Sequence, residues 1–190
     1  MLKQTIKNSS FLVIFICLWL VGTNLLWPDT IYAREEEEYV VKAAFILNFA
    51  KLTKWPEAAF EDSPGTIDTC LVGEDAVLAM AFSSIDGKQV GDRTVRVRFV
   101  PTAGDCLGCE ILFVSNAIDR STLLRFLTAV NDRPVLIIGE TPDFVRIGGI
   151  INFITHHGKL HFEINPQEVE RHGLKISSSL MSLATIVEND

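Results

Sequence analysis

The residues best equipped for chemistry lie in GDCLGCEILFV, residues 104–114, where Cys106 and Cys109 form a C-x-x-C. Such a pair serves as half a zinc site, as a redox dithiol or as one end of a structural disulfide. Redox dithiols of the thioredoxin kind open a helix, whose dipole acidifies the first thiol. Here the second cysteine heads an apolar strand, EILFV, so that activation is missing. Outside the cytoplasm neighbouring thiols are oxidised, which disfavours a thiolate zinc site. The better pairing joins Cys70, inside the strand TIDTCLVG, to Cys109 at the head of another. Cys106 is then the surplus, a Gly-flanked loop thiol placed to exchange with the bridge or to pair with another chain.

Other constellations are weaker. HHGKLH brings His156, His157 and His161 into one hairpin; with its loop at Gly158-Lys159, His156 faces His161 and Glu163 falls on the same side. Two imidazoles and a carboxylate suit zinc, but polar hairpin residues need only a solvated face, and no metal is expected. LVGEDAV sets a Gly at a strand-to-helix turn, yet the G-x-G-x-x-G spacing is missing and Glu74 and Asp75 would repel a phosphate, so no cofactor is expected. Neither G-x-S-x-G nor H-E-x-x-H occurs. Nothing in this set points to an enzyme.

The N-terminus speaks to the compartment. Lys3 and Lys7 precede the apolar run FLVIFICLWLV, which breaks at Gly22, Thr23 and Asn24 and exits through PDTIYA. This reads as a secretory signal, residues 1–33, cleaved after Ala33, and residues 34–190 then form one domain. The alternative is an uncleaved N-terminal membrane anchor, since apolar residues resume at Leu25. Removing Lys3, Lys7 and Asp29 leaves 15 basic against 23 acidic residues, which repels nucleic acid.

The elements that must position these residues alternate in type. REEEE, residues 34–38, reads as a solvated run just ahead of a helix, at its positive end. EYVVKAAFILNFAKLTKW follows, broken almost only by Lys42, Asn48 and Lys51, which do not share a face; such a helix is either buried on two sides, the commoner fate and the one expected here, or keeps one face for a partner. TIDTCLVG, the alternating TVRVRFV, CEILFV and PVLIIGE read as strands, and GIINFITHHGKLHFEIN as a hairpin. Helices are expected through Phe82, over SNAIDRSTLLRFLTAV, over PQEVERHG and over ISSSLMSLATIV. The sum is an α/β domain with a mixed sheet of about six strands and helices on both faces.

VKAAFILNFAKLTKWP, DTCLVG, CEILFV, PVLIIGE, GGIINF, LHFEIN and GLKISSSLMSLA, in that order, resemble the YfiR family across nearly all of residues 34–190. The resemblance implies an α/β sandwich and a non-enzymatic periplasmic regulator. Proteins of this kind repress an inner-membrane diguanylate cyclase by engaging its periplasmic sensory region, which lowers cyclic di-GMP and biofilm formation. An OmpA-like outer-membrane lipoprotein sequesters the repressor, and a second copy of the chain is a further candidate partner. A bridge between the positions of Cys70 and Cys109 is a family feature. The second bridge of some members has no counterpart here, where Val145 and Asn152 occupy that region. Exposed aromatic anchors for a partner are expected among Phe45, Phe49 and Trp55. The alternative from another class is a periplasmic small-ligand sensor without a cyclase partner.

Overall fold

The computed structural model describes residues 28–61, 63–73 and 76–189. Of the expected leader, residues 1–27 lie outside the described residues, and residues 28–33 belong to a helix, α1 (Pro28–Lys51). Among the described residues no helix is long and apolar enough to cross a membrane.

Helix α1 differs from expectation twice. The Glu run lies within the helix rather than ahead of it, and Glu38 pairs one turn on with Lys42 at 2.6 Å. Nor is the helix buried all round. Tyr39, Ala43, Ile46 and Ala50 recur at helical spacing on the inner face, while Val40 and Val41 are 41% and 45% exposed. Lys42 escapes the outer face because a carboxylate waits for it inside.

The strands are β1 (Thr53–Lys54), β2 (Thr66–Val72), β3 (Gln89–Val90), β4 (Arg93–Phe99), β5 (Ile111–Val114), β6 (Leu136–Gly139), β7 (Ile151–His156), β8 (Lys159–Ile164), β9 (Lys175–Ile176) and β10 (Thr185–Ile186). Eight of them form one mixed sheet in the order β10-β8-β7-β6-β5-β2-β4-β3, and β1 with β9 makes a separate antiparallel ribbon. Strands β4, β2, β5, β6 and β7 run parallel, while β8 returns antiparallel to β7. The two strands beyond the expected six are the two-residue edges β3 and β10. β5 and β6 are buried at every residue, which explains their continuous apolar runs.

Among the described residues four further α-helices follow: α2 (Ala76–Ser83), α3 (Arg120–Val130), α4 (Pro166–Arg171) and α5 (Ser178–Met181). From β2 the chain crosses through α2 to β4, and from β5 through α3 to β6, in opposite directions along the sheet. Right-handed crossovers in opposite directions put α2 and α3 on opposite faces. On the α1 and α2 side Phe113 lies 5.1 Å from Phe82 and 6.4 Å from Tyr39, and Phe49 stacks on Phe153 at 5.8 Å. Asp119 caps α3, accepting from the backbone N–H of Ser121 and Thr122.

Two local outcomes correct the sequence reading. The terminal helix is a single turn, capped by the Ser177 hydroxyl, after which Thr185 and Ile186 pair parallel with Glu163 and Ile164. β-Branched residues favour that edge over a continued helix. The hairpin turns one residue earlier than expected: His156 pairs with Lys159, and His157 and Gly158, at φ 51° and 70°, form the two-residue loop.

Gly139 and Gly149 are required by packing. A Cβ on either would come within 2.5 Å and 2.1 Å, respectively, of the Phe144 ring, which is fully buried between them.

Candidate functional site

The C-x-x-C is split by the fold. Cys109, just ahead of β5, is bridged to Cys70 in β2, with 5.9 Å between their Cα atoms and a sequence separation of 39. The Arg98 guanidinium lies 3.3 Å from the Cys109 sulfur and donates at 3.0 Å to the Asp105 carbonyl. Cys106 is free but not available. It closes a 3-10 turn, Ala103–Cys106, that points its side chain inward at 0% exposure, and burial pushes the thiol up to about 11. A buried, protonated thiol is a poor nucleophile, so the exchange role expected for this residue is not supported by its surroundings.

Buried acids surround the bridge. Asp68 takes two hydrogen bonds from Arg96, at 2.9 and 2.6 Å, and one from Arg98 at 3.4 Å. The Glu110 carboxylate accepts from the Asp68 backbone N–H and, at 3.0 Å, from the Ser63 hydroxyl. Desolvation raises its pKa above the ordinary Glu value, with those hydrogen bonds pulling the other way. Trp55 seals this end, donating from its indole to the Glu110 carbonyl at 3.2 Å.

At the opposite, carboxyl end of the parallel strands lies a polar cleft of about 430 Å³. In open α/β sheets this edge is where ligands collect. Its floor is a buried ion pair, Lys42 of α1 with Glu140 after β6, whose side chains are 6% and 3% exposed. Glu140 also accepts from the Tyr39 hydroxyl at 3.0 Å and the Asn116 backbone N–H at 3.1 Å. Burial, and then the Glu140 charge, raise the Tyr39 pKa, so the phenol stays a donor. The same strand ends explain Gly73: with φ at +124°, its Cβ would sit 2.9 Å from that of Ser115 at the end of β5. No phosphate-binding glycine pattern surrounds it.

Of the aromatic anchors, Phe49 is 1% exposed and belongs to the core, so it has no surface to present. Phe45 is half-buried, 6.1 Å from Phe153 and 6.0 Å from Phe162, and Trp55 is half-buried over Glu110. His156 and His161 are exposed with ring centres 6.2 Å apart, in diagonal rather than facing positions, because the turn falls one residue earlier. Glu163 is engaged by the Asn152 amide at 3.2 Å. Among the described residues no group of three His, Cys, Asp or Glu is placed to hold a metal ion. The apolar surface that α1 and its neighbours do expose comes instead from Val40, Val41 and Met80, which sequence reasoning did not single out. Nor did it find the Lys42–Glu140 pair, whose signal was a lone Lys inside an apolar helix.

The fold and its two ends define a disulfide-locked α/β domain in which Asp68 at one end and Glu140 at the other are paired with Arg96 and Lys42. The chain belongs to the YfiR/HmsC-like family, which it matches over residues 39–185. Members of that family are periplasmic regulatory proteins, not catalysts. No curated protein matches the chain. Two solved structures are distantly similar. A conserved domain protein from Vibrio cholerae O1 biovar El Tor has 13% identity, a TM-score of 0.45, and coverage of 68% of this chain and 57% of that one. An ABC domain in complex with L-Trp from Streptococcus pneumoniae has 12% identity, a TM-score of 0.45, and coverage of 66% and 56%. The chain thus spans little more than half the length of either.

Proposed function

We propose that this protein is a periplasmic, non-enzymatic repressor of an inner-membrane diguanylate cyclase, exported by a signal comprising residues 1–33. By binding the periplasmic sensory region of the cyclase it keeps cyclic di-GMP and biofilm formation low, and an OmpA-like outer-membrane lipoprotein relieves the repression by sequestering it. The observation that carries this reading is the family match over residues 39–185. The architecture is compatible with it: Glu140 and Asp68 are engaged in structural ion pairs, and the exposed face of α1 offers Val40 and Val41 to a partner.

Deleting the gene in its own host and measuring cyclic di-GMP tests the proposal, with a rise expected. Unchanged levels in a strain that expresses a candidate cyclase would sink it. A membrane pull-down with the exported protein as bait should recover a membrane GGDEF protein. The second reading, a small-ligand sensor, rests on the carboxyl-end cleft, whose volume lies in the range of ligand pockets.

A further inference from the structure

We propose that the carboxyl-end cleft binds a small amphipathic amine, a primary ammonium group carried on an apolar body. The cleft forms because β6 ends at Gly139, opposite Asn152, while the β7–β8 hairpin runs on through residues 153–156 and overhangs the sheet edge. Asn152 is 1% exposed, and its Nδ2 donates to Glu163 Oε2 at 3.2 Å. A carboxylate only accepts, so this bond fixes which way the amide points and leaves Oδ1 as an oriented acceptor. That oxygen is buried, has no partner and belongs to a side chain lining the cleft. The Thr141 hydroxyl, also in the lining, is buried and without a partner too. A buried acceptor with nothing to accept is an uncompensated desolvation that a donor ligand would relieve.

Charge decides the donor. The lining carries Glu38, Glu140, Asp143 and Glu163 against Lys42 and Arg146. Lys42 is committed to Glu38 and Glu140, and Arg146 lies 3.9 Å from Asp143 at the rim. Glu163 is left as the carboxylate beside the free Asn152 acceptor, a pair that suits a cation and repels an anion. A metal ion is a poor fit, since no three ligating side chains converge there among the described residues. An organic ammonium needs only three acceptors, and Ile154, on the same face of the hairpin as Asn152 and Glu163, supplies with Val187 an apolar wall for its body.

The inference does not depend on the cyclase reading, and its failure would leave that reading standing. The test is calorimetric titration of the protein, produced from the full-length chain, with phenethylammonium, 2-phenylethanol and phenylacetate. Phenethylammonium should bind, the isosteric alcohol about tenfold more weakly and the anion not at all. Glu163→Gln should weaken phenethylammonium about tenfold and Thr141→Val about fivefold. Asn152→Leu should abolish binding, and because that position is buried, the two milder variants carry the decision if it does not fold. No heat with phenethylammonium up to about 10 mM, equal binding of the alcohol, or unchanged affinity in Glu163→Gln would each overturn the proposal.

Discussion

The two ends of the central parallel strands are finished in opposite ways. At the amino end a covalent bridge, a chelated aspartate, a buried glutamate and an indole close the sheet. At the carboxyl end the closure is an ion pair, Lys42 against Glu140, with Tyr39 and Asn116 donating to the same carboxylate, beside a cleft of about 430 Å³. The difference separates two jobs of buried polar groups. One set is consumed in holding strands together; the other leaves acceptors over.

The largest expected effect lies at the locked end. Cross-linking residues 39 apart restricts the unfolded chain by about 4 kcal/mol in the chain-entropy account, so Cys70→Ala with Cys109→Ala should lower the urea-derived stability by about that much. A loss below about 1 kcal/mol would show that this end is held by packing alone. Next comes the open end. Lys42→Met strands Glu140 as a buried, uncompensated charge and should cost about 3 kcal/mol. Adding Glu140→Leu should recover part of that loss, since the double variant leaves no stranded charge. If the double variant is instead worse than the sum of its parts, Glu140 matters for its bonds to Tyr39 and Asn116 rather than for the lysine.

The third test concerns Cys106. Replacing its buried sulfur by a hydroxyl should cost about 2 kcal/mol in Cys106→Ser, with Cys106→Ala milder, as seen in urea midpoints. Equal stability of the Cys106→Ser variant and the wild-type protein would mean that the turn Ala103–Cys106 opens to solvent, and would restore the thiol as a candidate for exchange.

These residues also show what could be read in advance. CEILFV and PVLIIGE announced buried strands because burial on both faces removes any polar alternation, and Cys70 and Cys109 sat at positions that two such strands can bring together. Cys106 misled because flanking glycines look like an exposed loop, whereas Thr102 and Asp105 wind that loop into a turn facing inward. Phe49 misled for a related reason. An apolar helix does not say which of its aromatics face the sheet until the sheet exists. Lys42 and Glu140 stand 98 residues apart, so no local pattern could join them, and the two-residue edges β3 and β10 are too short to show a period. The acceptors of the cleft were invisible for the same reason, since Asn152 is polar in a strand reading and unsatisfied only in three dimensions.

The smallest effect separates the ends by pH. Burial raises the Glu110 carboxyl above its ordinary 4.5, so the fold prefers the protonated form. The stability this group supplies is therefore complete below the unfolded value and is lost as pH rises through the folded one. Glu110→Gln removes the titration while an amide can still accept from the Asp68 N–H and donate to Ser63. Its stability relative to wild type should accordingly improve between about pH 4 and pH 7.5. His172 works in the other direction: desolvation lowers its pKa, and its contribution is held above the ordinary 6.5 and lost as pH falls. Both proteins carry that histidine, whose Nδ1 donates to the Arg133 carbonyl at 2.6 Å, so its slope cancels in the difference. A wild-type-to-Gln gap that stays constant across the range would mean that Glu110 ionises in the fold as it does in the unfolded chain, and that the amino end is wetter than its packing implies.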